Sequence, residues 1–280
     1  MPLFKSFAVV GAGSFGAVVV TELLTRNVSV KVLTRDDTKS ELHALKEKGA
    51  SIVKVGYSDE QALHKALSDV DVVLSTISQF SLLLQIEIAR IAKAAGVKLF
   101  VPAEYDVTVA ERLNSYKKLV LDGLKGVEIP YTLFYTGFFT EFFSWFFDYN
   151  YAEGYISVVG DGNRPFSATT RLDIARFVAH VLTSAETSDL HNAIFRIEGD
   201  RKSPLEIAAL AEKKLEKPIE IRRVDLEENR KKYNSDFAAF LTTLIADGRA
   251  VSGTKEEVDA TINKFFPYWN PQPIGDFIEG

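Results

Sequence analysis

The residues with the clearest chemical purpose are Gly11-Ala12-Gly13-Ser14-Phe15-Gly16, which fit the spacing G-x-G-x-x-G directly after the apolar run Phe7-Ala8-Val9-Val10. Each glycine answers one demand of dinucleotide binding. Gly11 permits a tight turn, Gly13 lets the backbone approach a pyrophosphate, and Gly16 lets the following helix pack closely on the strand. The N–H groups at the start of that helix then face the anion. Glycine is common in turns, so the motif alone is weak. Its position between a strand and a helix is what favours a dinucleotide over a plain tight turn. The end of the second strand, Val32-Leu33-Thr34-Arg35, selects between cofactors. An acidic residue there binds both ribose hydroxyls, whereas a basic one accepts a 2′-phosphate. Thr34 occupies the selecting position and is not acidic, while Arg35 and Lys39 can clamp a phosphate. The expected cofactor is therefore NADP(H). The alternative is a solvated loop in which Arg35 pairs with Asp36 and Asp37.

Absences narrow the chemistry further. The chain contains no cysteine, which excludes disulfides, iron–sulfur clusters, thiolate metal sites and thiol nucleophiles. No tyrosine has a lysine four residues later, so the common Tyr-x-x-x-Lys pair of short-chain dehydrogenases is missing. His43, His64, His180 and His191 are scattered without ligand spacing, and Glu227-Glu228 and Glu256-Glu257 read as solvated helix faces, so no metal site is expected. There is no G-x-S-x-G nucleophile turn. A net charge of −5 argues against nucleic acid as a partner, because phosphate binding wants a basic surface. No apolar run approaches the roughly 18–20 residues that span a bilayer. Met1-Pro2-Leu3-Phe4-Lys5 also lacks the charged and then apolar layout of a secretory leader. A cytoplasmic protein without a membrane partner is expected.

These groups need elements to hold them. With 280 residues, 46% hydrophobic and 25% charged, the chain has room for two modest domains or one α/β domain with a sizeable addition. Short apolar runs alternate with amphipathic stretches, the pattern of a parallel sheet covered by helices. Strands are expected at 7–10, 28–33, 51–55, 71–75, 98–101 and 131–135, with helices near 14–26, 39–48, 60–67, 80–95 and 110–125. Six strands in this rhythm make a doubly wound Rossmann sheet with right-handed crossovers. Beyond about residue 150 the rhythm loosens: strands at 155–159, 193–197 and 219–224, helices at 173–183 and 203–215, then two or three more helices. The expected organisation is a dinucleotide-binding domain over 1–150 and a smaller α+β substrate-covering part over 151–280.

Between Tyr131 and Tyr151, twelve of twenty-one residues are aromatic, and Phe138, Phe139, Phe142, Phe143, Phe146 and Phe147 recur at helical spacing. A buried apolar helix accounts for some of them. The segment nevertheless starts at the carboxyl end of the sixth strand, where open α/β sheets place ligands. Phe138, Phe139 and Phe142 are therefore expected to line a flat apolar pocket for an aromatic substrate.

Three later segments carry a family resemblance. Phe100-Val101-Pro102-Ala103-Glu104-Tyr105-Asp106 resembles the Phe-x-Pro-Ser-Glu-Phe-Gly segment of isoflavone-reductase-like proteins. Lys117 to Thr132, ending Val127-Glu128-Ile129-Pro130-Tyr131-Thr132, is similar to their lysine-headed helix and Ile-Pro-Tyr-Thr strand entry. Phe265-Phe266-Pro267-Tyr268-Trp269, with Pro271 and Phe277, is similar to their C-terminal pattern. With the glycine turn, the resemblance spans nearly the whole chain. It points to the NmrA-like, isoflavone-reductase-like branch of atypical short-chain dehydrogenases, and the small size with Thr136-Gly137-Phe138-Phe139 to a fungal type. The chain departs from the family pattern in a glycine turn one residue shorter, and in Ala103 and Asp106 where serine and glycine are usual. The loop under the nicotinamide is expected to differ accordingly.

The resemblance implies that Lys117 is the catalytic lysine, since counting back from Ile-Pro-Tyr-Thr without a gap reaches it. Lys118 lies about 100° around the helix and should face elsewhere. The implied cofactor site comprises Gly11, Ala12, Gly13, Ser14, Phe15, Gly16, Arg35, Lys39, Thr76, Lys117, Thr136 and Gly137. The implied function is NADPH-dependent reduction of a conjugated or aromatic small molecule, in secondary metabolism, by a monomer or homodimer. A non-catalytic dinucleotide-binding regulator of the NmrA type, and an isomerase or cyclase on the same fold, stay open.

Overall fold

Short runs rich in valine and other apolar residues build the central ladder of the computed structural model, which describes residues 4–279. Met1 to Leu3, part of the stretch read for a leader, and Gly280 lie outside the described residues. Strands β1 (Ser6–Val10), β2 (Ser29–Thr34), β3 (Ser51–Lys54), β4 (Val72–Ser75) and β5 (Leu99–Val101) form a five-stranded sheet in the order β3-β2-β1-β4-β5. Every neighbouring pair in it is parallel. Helices α1 (Gly16–Leu24), α2 (Ser40–Glu47), α3 (Glu60–Leu67) and α4 (Leu84–Ala94) make the crossovers between consecutive strands. All four residues of β4 are buried, as expected of a parallel strand covered on both faces. Chain order reverses between β1 and β4, which opens the crevice where doubly wound sheets take ligands. At the opposite edge the Asp71 carboxylate accepts hydrogen bonds from the Lys5 N–H (2.9 Å), the Ser6 N–H (3.1 Å) and Lys98 Nζ (2.7 Å). Burial works to raise its pKa, but these donors outweigh it and hold the carboxyl below its usual range.

Helix α5 (Ser115–Val127) follows a 3-10 turn at Arg112–Asn114, and α4 follows another at Gln79–Ser81, so both helices begin several residues later than expected. Strand β6 (Thr132–Tyr135) corrects the expectation of a sixth strand in the main sheet. A single bridge between Phe100 and Tyr131, with Phe100 N–H donating to Pro130 O at 2.9 Å, brings its entry beside β5. The ladder stops there because Pro102 follows β5 and has no N–H to donate. β6 instead pairs with a later strand.

The rest of the chain comprises β7 (Phe138–Phe139), α6 (Phe143–Phe146), β8 (Tyr149–Asn150), β9 (Tyr155–Val159), β10 (Phe166–Thr169), α7 (Arg171–Ser184), α8 (Thr187–Leu190), β11 (Ala193–Arg196), β12 (Asp200–Lys202), α9 (Pro204–Leu215), β13 (Glu220–Val224), α10 (Leu226–Lys231), α11 (Phe237–Ala246) and α12 (Lys255–Phe265). β11 is the partner of β6, while β12-β10-β7 and β13-β9-β8 form two further sheets. No helix among the described residues is long and apolar enough to cross a membrane.

Two compact units emerge, and no single point near residue 150 divides them. The first takes the chain up to Glu104, Ser115–Phe134 and Ala175–Phe195; the second takes Tyr105–Asn114, Tyr135–Ile174 and the chain from Arg196 onward. The chain alternates between them because each helps itself to non-contiguous segments: β6 and β11 pair with each other, and α5 packs on α4. In the first unit the core gathers Ala8, Val10, Leu33, Val73, Phe100, Val120 and Leu124. In the second it gathers Phe138, Phe143, Phe147, Ile156, Phe166, Phe240 and Leu244.

Candidate active site

The glycine turn sits at the carboxyl end of β1. Gly11 has φ +88° and its N–H donates to Leu33 O at 3.1 Å, tying the turn to β2. Thr76, just past β4, donates its hydroxyl to Gly11 O and its N–H to Val10 O at 3.0 Å. A Cβ on Gly16 would fall on Gly11 O and on Thr76 Oγ1, so α1 approaches the turn as closely as only glycine allows. Gly13 is the opposite case: a Cβ there would meet no atom within 4 Å. No contact among the described residues requires glycine at this position. The N-cap of α1 is Phe15, whose side chain cannot accept a hydrogen bond, so no side chain caps the helix. Ala12, Gly13 and Ser14 line this open approach, Gly13 and Ser14 being exposed.

At the end of β2 the loop resolves which charges are engaged. Thr34 turns its hydroxyl to Asp36 O (2.8 Å), Asp36 accepts from the Thr38 N–H and hydroxyl (3.0 and 2.6 Å), and Asp37 pairs with Lys54 at 2.8 Å. The Thr38 hydrogen bonds hold the Asp36 carboxyl below its usual range, and the one with Lys54 does the same for Asp37. Arg35 pairs with neither. Its guanidinium lies 5.5 Å above the Tyr57 ring, whose hydroxyl is anchored to Leu33 O at 3.0 Å. Arg35 and Lys39 are both exposed, and a stacked guanidinium keeps its N–H groups for a planar or tetrahedral anion.

Lys117 lies in the first turn of α5, on the stripe that buries Val120 and Leu124. It is only 8% exposed, and its Nζ stands 4.0 Å from Oε1 of Glu104, itself 7% exposed. Glu104 follows β5 and therefore shares the carboxyl edge of the sheet with Gly11 and Thr76. Lys118 faces solvent and pairs with Asp122 at 2.6 Å, one turn along the same helix.

The remaining expected residues belong to the second unit. Thr136 is fully buried, its N–H donating to Asp106 O at 2.9 Å and its O accepting from the Thr169 hydroxyl at 2.6 Å. Gly137 has φ +70°, and a Cβ there would collide with the Ser167 backbone. Both residues thus carry structural duties of their own. The expected aromatic helix is instead β7, a 3-10 turn at Thr140–Phe142 and the single turn of α6. Asp148, at φ +55°, breaks any longer helix, and its carboxylate accepts from the hydroxyls of Ser157 (2.5 Å) and Tyr155 (3.2 Å). Strand alternation separates the two rings of β7. Phe138 packs into the core against Phe147 at 5.4 Å, while Phe139 meets Phe142 at 5.7 Å. Phe142 stacks on the exposed Trp145 at 5.4 Å and lies under the Arg171 guanidinium at 5.2 Å.

The NmrA-like family model matches residues 5–270. The chain belongs to the NmrA-like family. Among curated relatives it is 31% identical over 198 residues to the asnovolin J 5′,6′-dehydrogenase of Aspergillus novofumigatus, covering 64% of this chain and 61% of that protein. It is 28% identical over 240 residues to isoflavone reductase homolog P3 of Arabidopsis thaliana, covering 77% and 76%. Among solved structures, the leucoanthocyanidin reductase–NADPH complex of Vitis vinifera superposes with a TM-score of 0.82 over 97% of each chain, at 22% identity. That last likeness is one of fold: the doubly wound sheet of NmrA-like proteins.

Within this NmrA-like chain, three residues near the site had no role assigned from sequence. Tyr57 is the shelf beneath Arg35. Glu104 was legible only as a letter in the segment after β5. Gln85 is 1% exposed on α4; its Oε1 accepts from the Ala103 N–H at 2.8 Å, and its Nε2 donates to Leu82 O at 3.1 Å. The available signal was a polar residue inside the apolar stripe Leu82, Gln85, Ala89, Ala92.

Proposed function

We propose that this protein is an NADPH-dependent reductase of a conjugated or aromatic small molecule, with Lys117 as the proton donor. The observation that carries it is the buried ammonium of Lys117 beside Glu104, at the carboxyl edge that also holds the glycine turn. A lysine serving only solubility would lie outside, as Lys118 does. The bare approach at Gly13 and the exposed guanidinium of Arg35, held over Tyr57 and paired with neither Asp36 nor Asp37, fit a dinucleotide with a 2′-phosphate. The relatives named as a dehydrogenase and an isoflavone reductase homolog support a redox reaction, and the similar leucoanthocyanidin reductase was solved with NADPH.

When bound, NADPH supplies a hydride to an electrophilic carbon of the substrate. The chain supplies the rest. The main chain from Gly11 to Gly16 and the start of α1 would hold the pyrophosphate, and Arg35 with Lys39 would hold the 2′-phosphate. Hydride arrival sends an electron pair to the substrate's oxygen, and the Lys117 ammonium protonates or stabilises that oxygen. The resulting amine regains its proton from water. The rate should fall at high pH as Lys117 loses its proton.

The test is NADPH oxidation against a panel of aromatic enones and quinones. Lys117→Ala should lower kcat by roughly 10²–10⁴-fold, the usual range for acid–base catalysis, with NADPH affinity kept. Lys118→Ala should be nearly silent. Normal turnover by Lys117→Ala refutes the lysine's role. Tight NADPH binding with no hydride transfer to any compound favours the regulator or the non-redox enzyme.

A further inference from the structure

Lys117 does not lie alone on its buried stripe. Glu104 Oε1 is 4.0 Å from its Nζ, and both side chains are at most a tenth exposed. At that separation the two opposite charges interact through space, within the range over which a carboxylate favours the charged form of an ammonium. The main chain that carries Glu104 is tethered: the Glu104 N–H donates to Pro102 O at 2.8 Å, and the preceding N–H, that of Ala103, donates to the buried Gln85 carboxamide at 2.8 Å. Gln85 thus fixes the 102–104 segment to α4, the helix that packs on α5. Most of the other charged groups on these two helices have partners elsewhere. Glu87 pairs with Arg90 at 2.6 Å, Lys93 reaches Val127 O at 2.6 Å and Glu128 at 3.5 Å, and Lys118 holds Asp122.

We propose that Glu104 is the positioning residue of Lys117, a buried carboxylate on a tethered main chain that keeps the ammonium protonated and holds it at the carboxyl edge of the sheet. Burial by itself drives a lysine to shed its proton, and an opposite charge within about 4–6 Å restores the charged form. A donor must carry its proton when hydride arrives, so Glu104 sets the upper pH at which Lys117 can act. This rests on Lys117 being the proton donor, but its electrostatic content can be measured without turnover.

The experiment is 13C NMR of the full-length protein labelled at lysine Cε, titrated with pH, with the Lys117 signal assigned by its loss in Lys117→Arg. Glu104→Gln, which keeps shape and removes charge, should lower the Lys117 midpoint by roughly 1–3 pH units, while exposed lysines such as Lys118 keep theirs. An unchanged midpoint in a folded Glu104→Gln overturns the proposal. If that variant does not fold, Glu104→Asp, which withdraws the carboxylate by one methylene, should lower the midpoint by less, and no change in it overturns the proposal equally. NADPH oxidation with trans-chalcone separates the two ideas. A lowered midpoint together with normal turnover by Lys117→Ala leaves the electrostatic pairing standing and removes the donor role. A lowered midpoint together with loss of turnover in Lys117→Ala supports both, and the alkaline limb of kcat in Glu104→Gln should then move down with the midpoint.

Discussion

Gly13 and Gly16 lie three residues apart in one turn, yet the structure gives them opposite reasons for being glycine, and a pair of substitutions separates the two. A side chain at Gly13 enters open space and the residue is exposed, so Gly13→Val should change stability by no more than about 0.5 kcal/mol. The same side chain fills the path by which the main chain reaches a pyrophosphate. A hydrogen bond to a charged group is worth about 1.5–3 kcal/mol. Losing two of them costs roughly 3–6 kcal/mol, or about 10²–10⁴-fold in Kd. At Gly16 even a methyl group falls on Gly11 O and Thr76 Oγ1. Overpacking of that kind costs about 1–3 kcal/mol, and disturbing the Thr76–Gly11 hydrogen bond adds about 1 kcal/mol. Gly16→Ala should therefore lose roughly 2–4 kcal/mol of stability before any cofactor is added. Urea unfolding of the cofactor-free protein and calorimetric titration with NADPH read the two effects apart. Wild-type NADPH affinity in a folded Gly13→Val, or wild-type stability in Gly16→Ala, would refute the reasoning.

Arg35→Ala should weaken NADPH by roughly 10- to 150-fold, the value of one charge-assisted contact of about 1.5–3 kcal/mol, and leave NADH unchanged; titration of both cofactors checks it, and equal losses would count against a 2′-phosphate clamp. Asp71→Asn should cost about 1.5–3 kcal/mol at neutral pH. Because the folded-state pKa of Asp71 is lowered, its contribution is complete above the unfolded value of about 3.9 and disappears as pH falls through the lowered one. The stability gap between wild type and Asp71→Asn should accordingly close under acid, and a gap that is constant from pH 7 to strong acid would sink the assignment. Gly137→Ala, at φ +70° against the Ser167 backbone, should destabilise the protein by at least about 1–3 kcal/mol, measured as a lowered urea midpoint; a neutral result would mean that the backbone there relaxes freely.

The first half of the fold was legible because its information is local. Buried parallel strands are short apolar runs, helices carry a 3.6-residue stripe, and the glycine turn is written within the six residues Gly11 to Gly16. The resemblance after β5 and before β6 likewise rests on contiguous letters, and it leads to the family that the whole-chain match establishes. The aromatic segment misled the helical reading because phenylalanine at nearly every position satisfies any period. Only tertiary packing chose one helical turn between two short strands, with Asp148 in a left-handed conformation at its end.

What the sequence by itself determined is therefore the doubly wound class, the glycine turn between β1 and α1, and the lysine that heads α5. Tertiary structure alone decided that β6 leaves the main sheet for β11, that Arg35 rests on Tyr57 rather than pairing with Asp36 or Asp37, and that Lys117 meets Glu104. Periodicity records which face of an element is apolar; it carries nothing about which distant residue that face will meet. A buried charge is tolerated only beside its counter-charge, and that partner is chosen by how α4, α5 and the end of β5 come together in space.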